Sequence, residues 1–118
     1  MRLLTTLTLA AAALTAGCAN QVKPLYQWDN FTRQTYESMK GDGASPNEQL
    51  DALKLQESRA RAAGAALPPG FRAHVGIVLL RLGQANEARA QFEAEKAAFP
   101  ESAPYMDFVL KSMEGGKS

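Results

Sequence analysis

The chain has 118 residues, of which 46% are hydrophobic and 21% charged, and its formal net charge is +1 at pH 7. This length allows one small domain, and the composition is that of a globular protein. No basic stripe interleaved with aromatic residues occurs, which argues against a nucleic-acid-binding protein. Beyond the N-terminus, no apolar run reaches the roughly 18 residues that a membrane-spanning helix needs.

The first 17 residues have the composition of a signal peptide. Arg2 supplies a short positive region, residues 3–14 are apolar, and the small residues Thr-Ala-Gly at 15–17 precede Cys18. Signal peptidases accept small residues before the cleavage point. The segment resembles the lipobox of bacterial lipoproteins, although a threonine stands at position 15, where leucine is usual. The resemblance implies that Cys18 is acylated; the alternative is a secretory signal that leaves Cys18 as a free thiol.

Cys18 is the only cysteine, so a disulfide within the monomer is excluded. Residues 18–24 would then form a lipidated tether, and two or more acyl chains would anchor it stably in the membrane. Ala19 stands where an aspartate would retain an enterobacterial lipoprotein in the inner membrane, so the resemblance implies the periplasmic face of the outer membrane. Cleavage removes Arg2, one of 13 basic residues, and leaves 12 basic beside 12 acidic residues. The mature domain therefore has no net attraction to an acidic partner.

An aromatic segment follows the tether and leads into a predicted helix of residues 29–40, with Asp29 as its N-cap. Two interpretations of this segment stay open: packing beneath a terminal repeat, or an exposed surface that docks a partner. Large aromatic residues are more often buried than displayed. The candidate partner-binding residues are Tyr26, Trp28 and Phe31, and the expected inner face of the helix consists of Phe31, Thr35, Tyr36 and Met39.

The second predicted helix spans residues 46–64. Ser45 is a suitable N-cap, Pro46 suits the first helical position, and Glu48 completes a capping box. Gly64 can end the helix. The helices of residues 29–40 and 46–64 would form a first, degenerate repeat, followed by a stiff Leu-Pro-Pro-Gly connection.

Residues 70–82 and 85–99 have two further helical patterns, separated by Gly83. Their spacing resembles a tetratricopeptide repeat. Small residues on the two helices would let them approach closely, and larger ones would fill the space beside them. One such pair cannot bury its apolar face alone, so the flanking sequence must complete the core. The positions that match the repeat are Val75, Gly76, Leu79, Ala88, Phe92 and Pro100.

A last predicted helix begins after Ser102 and runs to about Met113, with an apolar stripe that would cap the array. Residues 114–118 are expected to be a disordered tail. The sequence thus predicts an all-α fold over residues 25–113, with about five helices arranged as two tetratricopeptide-like hairpins and a C-terminal capping helix. The stripe consists of Tyr105, Met106, Val109, Leu110 and Met113.

The sequence predicts no catalytic or metal site. His74 is the only histidine and is expected at the edge of the helix pair. Glu93 and Glu95 are two residues apart on a helix, so they point to different sides and are expected on a solvated face. No cluster of cysteine and histidine suggests a metal, and no glycine-rich loop follows a strand. We therefore expect no cofactor and no small-molecule substrate.

Three stretches resemble a small family of Gram-negative lipoproteins: YQWDNF at 26–31, LPPGFRAHVG at 67–76 and FEAEKAAFPESAPYMDFVL at 92–110. That family has a tetratricopeptide-like core and no assigned activity, and its members are commonly encoded beside a lipoprotein resembling the curli secretion channel CsgG. The resemblance implies a non-catalytic, lipid-anchored adaptor in an envelope complex with the CsgG-like protein. The alternatives are a purely structural lipoprotein without a dedicated partner, or a periplasmic enzyme that uses His74.

Overall fold

The computed structural model describes residues 23–41 and 43–116, and within these ranges the protein consists of five α-helices and connecting segments. Residues 1–22, including Cys18 and the predicted signal peptide, lie outside the described residues. The predicted all-α fold is confirmed. None of the described helices is both long and apolar enough to cross a membrane. The helices are α1 (Phe31–Lys40), α2 (Pro46–Ala63), α3 (Phe71–Arg81), α4 (Ala85–Ala98) and α5 (Ala103–Gly115), with a 3₁₀ turn at Pro100–Ser102 before α5.

The start of α2 has the predicted capping box. The Ser45 hydroxyl accepts a hydrogen bond from the backbone N–H of Glu48 at 3.4 Å, and the Glu48 carboxylate accepts one from the Ser45 N–H at 2.9 Å. These reciprocal bonds satisfy donors that the first turn of a helix otherwise leaves free. Hydrogen bonds from the backbone and hydroxyl of Ser45 also lower the pKa of Glu48. The helix ends at Gly64, whose φ of 62° is left-handed, as expected of a C-cap glycine.

The inner face of α1 differs from the expected one. Its N-cap is Asn30, and Asp29 has a φ of 43° and a carboxylate that pairs with Arg59. Phe31 and Ser38 are the buried residues of α1, whereas Tyr36 and Met39 are 63% and 80% exposed. The reason is that the Ser38 hydroxyl accepts a hydrogen bond from Arg81 of α3 at 2.9 Å, which turns the Phe31–Ser38 side of the helix inward.

The core is centred on the hairpin of α3 and α4. The two helices are joined at Gly83, whose φ of 74° is left-handed. Gly76 of α3 is buried beside the ring of Phe92, and Ala88 of α4 is completely buried. This is the close approach that the small residues predict. The core cluster consists of Phe31, Leu50, Leu53, Phe71, Val75, Val78, Leu79, Ala88, Phe92, Met106 and Leu110.

The last helix covers the hairpin through Met106 and Leu110, which are buried, while Tyr105 of the predicted stripe is 60% exposed. Ser102 precedes α5 but does not cap it, because its hydroxyl donates to the carbonyl of Phe99 at 2.7 Å. The helix continues to Gly115, so Glu114, expected in a disordered tail, is helical and pairs with Arg89 of α4.

Candidate functional site

The N-terminal segment, residues 23–30, is held against the domain by hydrogen bonds of its backbone. The N–H of Gln27 donates to the carbonyl of Ala66 at 2.8 Å, and Tyr26 and Ala66 form an isolated parallel β-bridge. The Gln56 amide of α2 donates to the carbonyls of Gln27 and Trp28 at 3.0 and 2.9 Å. Because Gln56 is only 3% exposed, it is a buried polar clamp that fixes the course of this segment.

The aromatic residues of this segment and of the start of α1 divide into core and surface. The ring of Phe31 lies 5.3 Å from that of Phe71, between centroids, and Phe31 is only 7% exposed. Phe31 therefore contributes to the core and leaves little surface for a partner. Tyr26 is half-buried against Phe99, with ring centroids 6.2 Å apart. Trp28 packs edge-on against Tyr26 but is 46% exposed, so it remains available at the surface.

His74 is buried rather than at the edge of the helix pair, so that expectation was wrong. It is 6% exposed, and its ring centroid lies 5.9 Å from that of Phe31 on α1. The sequence misplaces it because α1, which covers it, is distant in the chain. Burial lowers the pKa of His74, and the positive charge of Arg81 adds to the effect. Its Nε2 has no hydrogen-bond partner among the described residues.

Glu95 is likewise buried, which corrects the expectation of a solvated face. It is 2% exposed, and its Oε1 accepts a hydrogen bond of 2.6 Å from the N–H of Gly70, the N-cap of α3. A carboxylate there accepts a hydrogen bond from an otherwise free N–H donor and interacts favourably with the positive end of the helix dipole. The sequence contained a signal for this position, because Glu95 follows Ala88 and Phe92 along one face of α4. Glu93 is exposed, as expected.

One groove lies between α2, α3 and α4, and we refer to it as the helix groove. It encloses about 190 Å³. Its floor is apolar, because Leu50, Val75 and Leu79 contribute to it, and its rim contains charged and amide side chains. Such a surface combines area for burial with groups that can fix the orientation of a bound chain. The lining consists of Leu50, Lys54, Glu57, Val75, Leu79, Gln84, Glu87 and Gln91.

A second groove, the tether groove, lies beside the N-terminal segment and encloses about 460 Å³. It is formed by the end of α2, the connection to α3 and the end of α4. Arg61 at its edge pairs with Glu57 at 3.5 Å, and Arg72 is half-buried in it. The groove is therefore both apolar and cationic. Its lining is Leu25, Tyr26, Glu57, Ala60, Arg61, Ala65, Ala66, Leu67, Arg72, Ala98 and Phe99.

The fold and these surfaces define the class of the protein. It is a small all-α domain with a helix groove, a tether groove and an N-terminal segment that is hydrogen-bonded to the domain. Within residues 23–41 and 43–116, no group of three His, Cys, Asp or Glu residues is placed to hold a metal ion. A family model described as "Domain of unknown function (DUF4810)" matches residues 25–109. The chain belongs to this family, which confirms the predicted membership of an uncharacterised family. Searches of curated proteins and of solved structures found no match.

Proposed function

We propose that the protein is a lipid-anchored, non-catalytic adaptor that faces the periplasm and joins a bacterial envelope complex. The anchor is Cys18, which is diacylated, then becomes the new N-terminus when residues 1–17 are removed and is acylated there, and which is held at the outer membrane. The sequence supports this through the small residues before Cys18 and the absence of any other cysteine from the chain. A short tether then places the helical domain at the membrane surface, where another envelope lipoprotein is within reach.

We further propose that the domain core is tetratricopeptide-like. The support is the packing of α3 on α4: Gly76 and Ala88 are buried, and the Phe92 ring fills the space beside Gly76. Repeats of this kind bind by surface complementarity and need no reacting group. The scaffold therefore fits an adaptor.

The observation that carries the adaptor proposal is the helix groove. Its floor consists of Leu50, Val75 and Leu79, which are 6%, 7% and 5% exposed, while Lys54 and Glu87 at its rim are exposed and of opposite charge. Apolar burial rather than ionic attraction is expected to supply most of the affinity, since the mature chain has 12 basic and 12 acidic residues. The partner that the family resemblance implies is the CsgG-like lipoprotein encoded nearby.

Co-expression with that lipoprotein, followed by capture from detergent-solubilised membranes, tests the proposal. The Glu87→Trp variant places an indole over the groove floor and should abolish co-purification. Glu93→Trp is the matched control on the same helix, since Glu93 is exposed but does not line the groove. The association should also persist in high salt, which screens exposed charges. A folded, acylated protein that captures none of the CsgG-like lipoprotein would contradict the proposal.

A further inference from the structure

The N-terminal segment has two large apolar side chains that the rest of the domain leaves exposed. Leu25 is 71% exposed and Trp28 is 46% exposed, although the backbone around them is fixed by Gln56 and Ala66. A segment held this firmly keeps both side chains on the outside of the fold. Two exposed apolar side chains on one ordered segment indicate contact with another apolar phase or partner.

Four cations lie on or next to the N-terminal segment. Lys23 donates to the carbonyl of Ala63 at the end of α2, and Arg61 and Arg72 line the tether groove beside Leu25. Arg59 pairs with Asp29 at 3.3 Å, and Arg61 pairs with Glu57 at 3.5 Å. Lys23 and Arg72 form no salt bridge with a described residue. This edge therefore has an excess of positive charge, although the mature chain as a whole is neutral.

We infer that this face, made of Lys23, Leu25, Trp28, Arg61 and Arg72, lies against the lipid bilayer. The inference rests on the proposed acylation of Cys18. Leu25 follows Cys18 by seven residues, which span at most about 24 Å when fully extended. The face is thus the part of the domain that the anchor holds nearest to the membrane.

The residue types suit the boundary between lipid and water. Tryptophan is enriched there because its ring is apolar and its indole N–H is polar. Lysine and arginine extend their charged ends toward headgroups while their stems cover apolar surface. Phosphate groups of phospholipids provide the anions that Lys23 and Arg72 lack among the described residues. Leu25 would enter the outer part of the acyl region, and α2 would point its C-terminal end at the membrane.

Trp28 is the only tryptophan in the chain, so its fluorescence reports on this face alone. The mature protein, purified from cell membranes, is reconstituted into vesicles of phosphatidylethanolamine and phosphatidylglycerol, with or without bromine on the acyl chains. Flotation of the vesicles first shows whether the protein is anchored. We expect brominated lipid to quench Trp28, the emission to shift to shorter wavelength, and iodide in the water to quench it less than in the Cys18→Ser protein free in buffer.

Two substitutions define the contact. Leu25→Ser should reduce quenching by brominated lipid, because the segment loses its apolar insertion, whereas Phe108→Ser should not. Phe108 is 66% exposed, and its helix α5 contributes no residue to the tether groove. Arg72→Gln should also lower the quenching of Trp28 by brominated lipid, and this decrease should be larger in anionic vesicles than in zwitterionic ones.

Anchoring and orientation fail in different ways. A protein that does not float with the vesicles contradicts the acylation and, with it, the basis of the orientation. A protein that floats while iodide still quenches Trp28 as strongly as in buffer overturns the membrane-contact face alone. Protection of Trp28 that requires the added CsgG-like lipoprotein would also overturn it, and would assign the face to a protein partner.

Discussion

The ring of Phe92 occupies the space that a side chain on Gly76 would need. A Cβ on Gly76 would lie 2.5 Å from Cε1 of Phe92, which is closer than two nonbonded carbon atoms approach each other in proteins. The two helices of the hairpin therefore approach each other at a point where one of them has no side chain. Phe92 is 1% exposed and has no room to withdraw.

Gly76→Ala should destabilise the domain. Overpacking a filled core costs about 1–3 kcal/mol. This cost equals or exceeds the gain in helix propensity from alanine, which is up to about 1 kcal/mol. Gly115→Ala is the matched control, because nothing lies within 4 Å of its Cβ position. Denaturant unfolding of both variants measures the difference. On a Phe92→Leu background the cost of Gly76→Ala should shrink, and an unchanged cost would mean that the contact is not the cause.

The Glu95 carboxylate should contribute to stability through Gly70. Glu95→Ala leaves the part-buried N–H of Gly70 without its acceptor, which costs about 1–3 kcal/mol in the free energy of unfolding. Glu93→Ala, on the exposed side of α4, should stay within about 0.5 kcal/mol of the wild type. Equal unfolding midpoints for the two variants would argue against a capping role for Glu95.

His74 should make stability depend on pH. Burial lowers its pKa below the ordinary value of 6.5, so the unfolded chain binds a proton at a higher pH than the folded protein does. The resulting contribution to stability is complete above pH 6.5 and declines as pH falls through the lowered folded value.

Thermal unfolding of the wild type between about pH 7.5 and 5.5 should show this decline. The His74→Leu variant should show a much smaller decline over the same window, because leucine cannot take up a proton in either state. A variant that loses stability as steeply as the wild type would place the titrating group elsewhere.

The sequence predicted those features that depend on local spacing. The capping box of Ser45 and Glu48 and the left-handed Gly64 lie within a few residues of the bonds they make, so the pattern defines them. The position of His74 was mispredicted because α1, which covers it, is distant in the chain, and that of Glu95 was mispredicted although its spacing from Ala88 and Phe92 marks the buried face of α4. The same limit applies to the N-terminal segment, where Gln56 is the buried clamp and no short-range pattern marks it.

Acylation of Cys18 should be detectable directly. The wild type is expected to incorporate labelled palmitate and to fractionate with the outer membrane, since two or more acyl chains anchor a protein stably. Cys18→Ser removes the only thiol and should abolish both the label and the membrane association. A wild-type protein that takes up no label and is found free in the periplasm would refute the lipoprotein interpretation.

The most direct test of the adaptor is photo-cross-linking in living cells from a position inside the helix groove. A photo-reactive benzoylphenylalanine at Lys54, which is exposed and lines the groove, should cross-link to the CsgG-like lipoprotein. The same residue at Lys111, exposed on α5 and outside the groove, should not. His74→Ala should leave the cross-link from position 54 intact. An acylated, folded protein that gives no cross-link from position 54, or gives it equally from position 111, would contradict a partner in this groove.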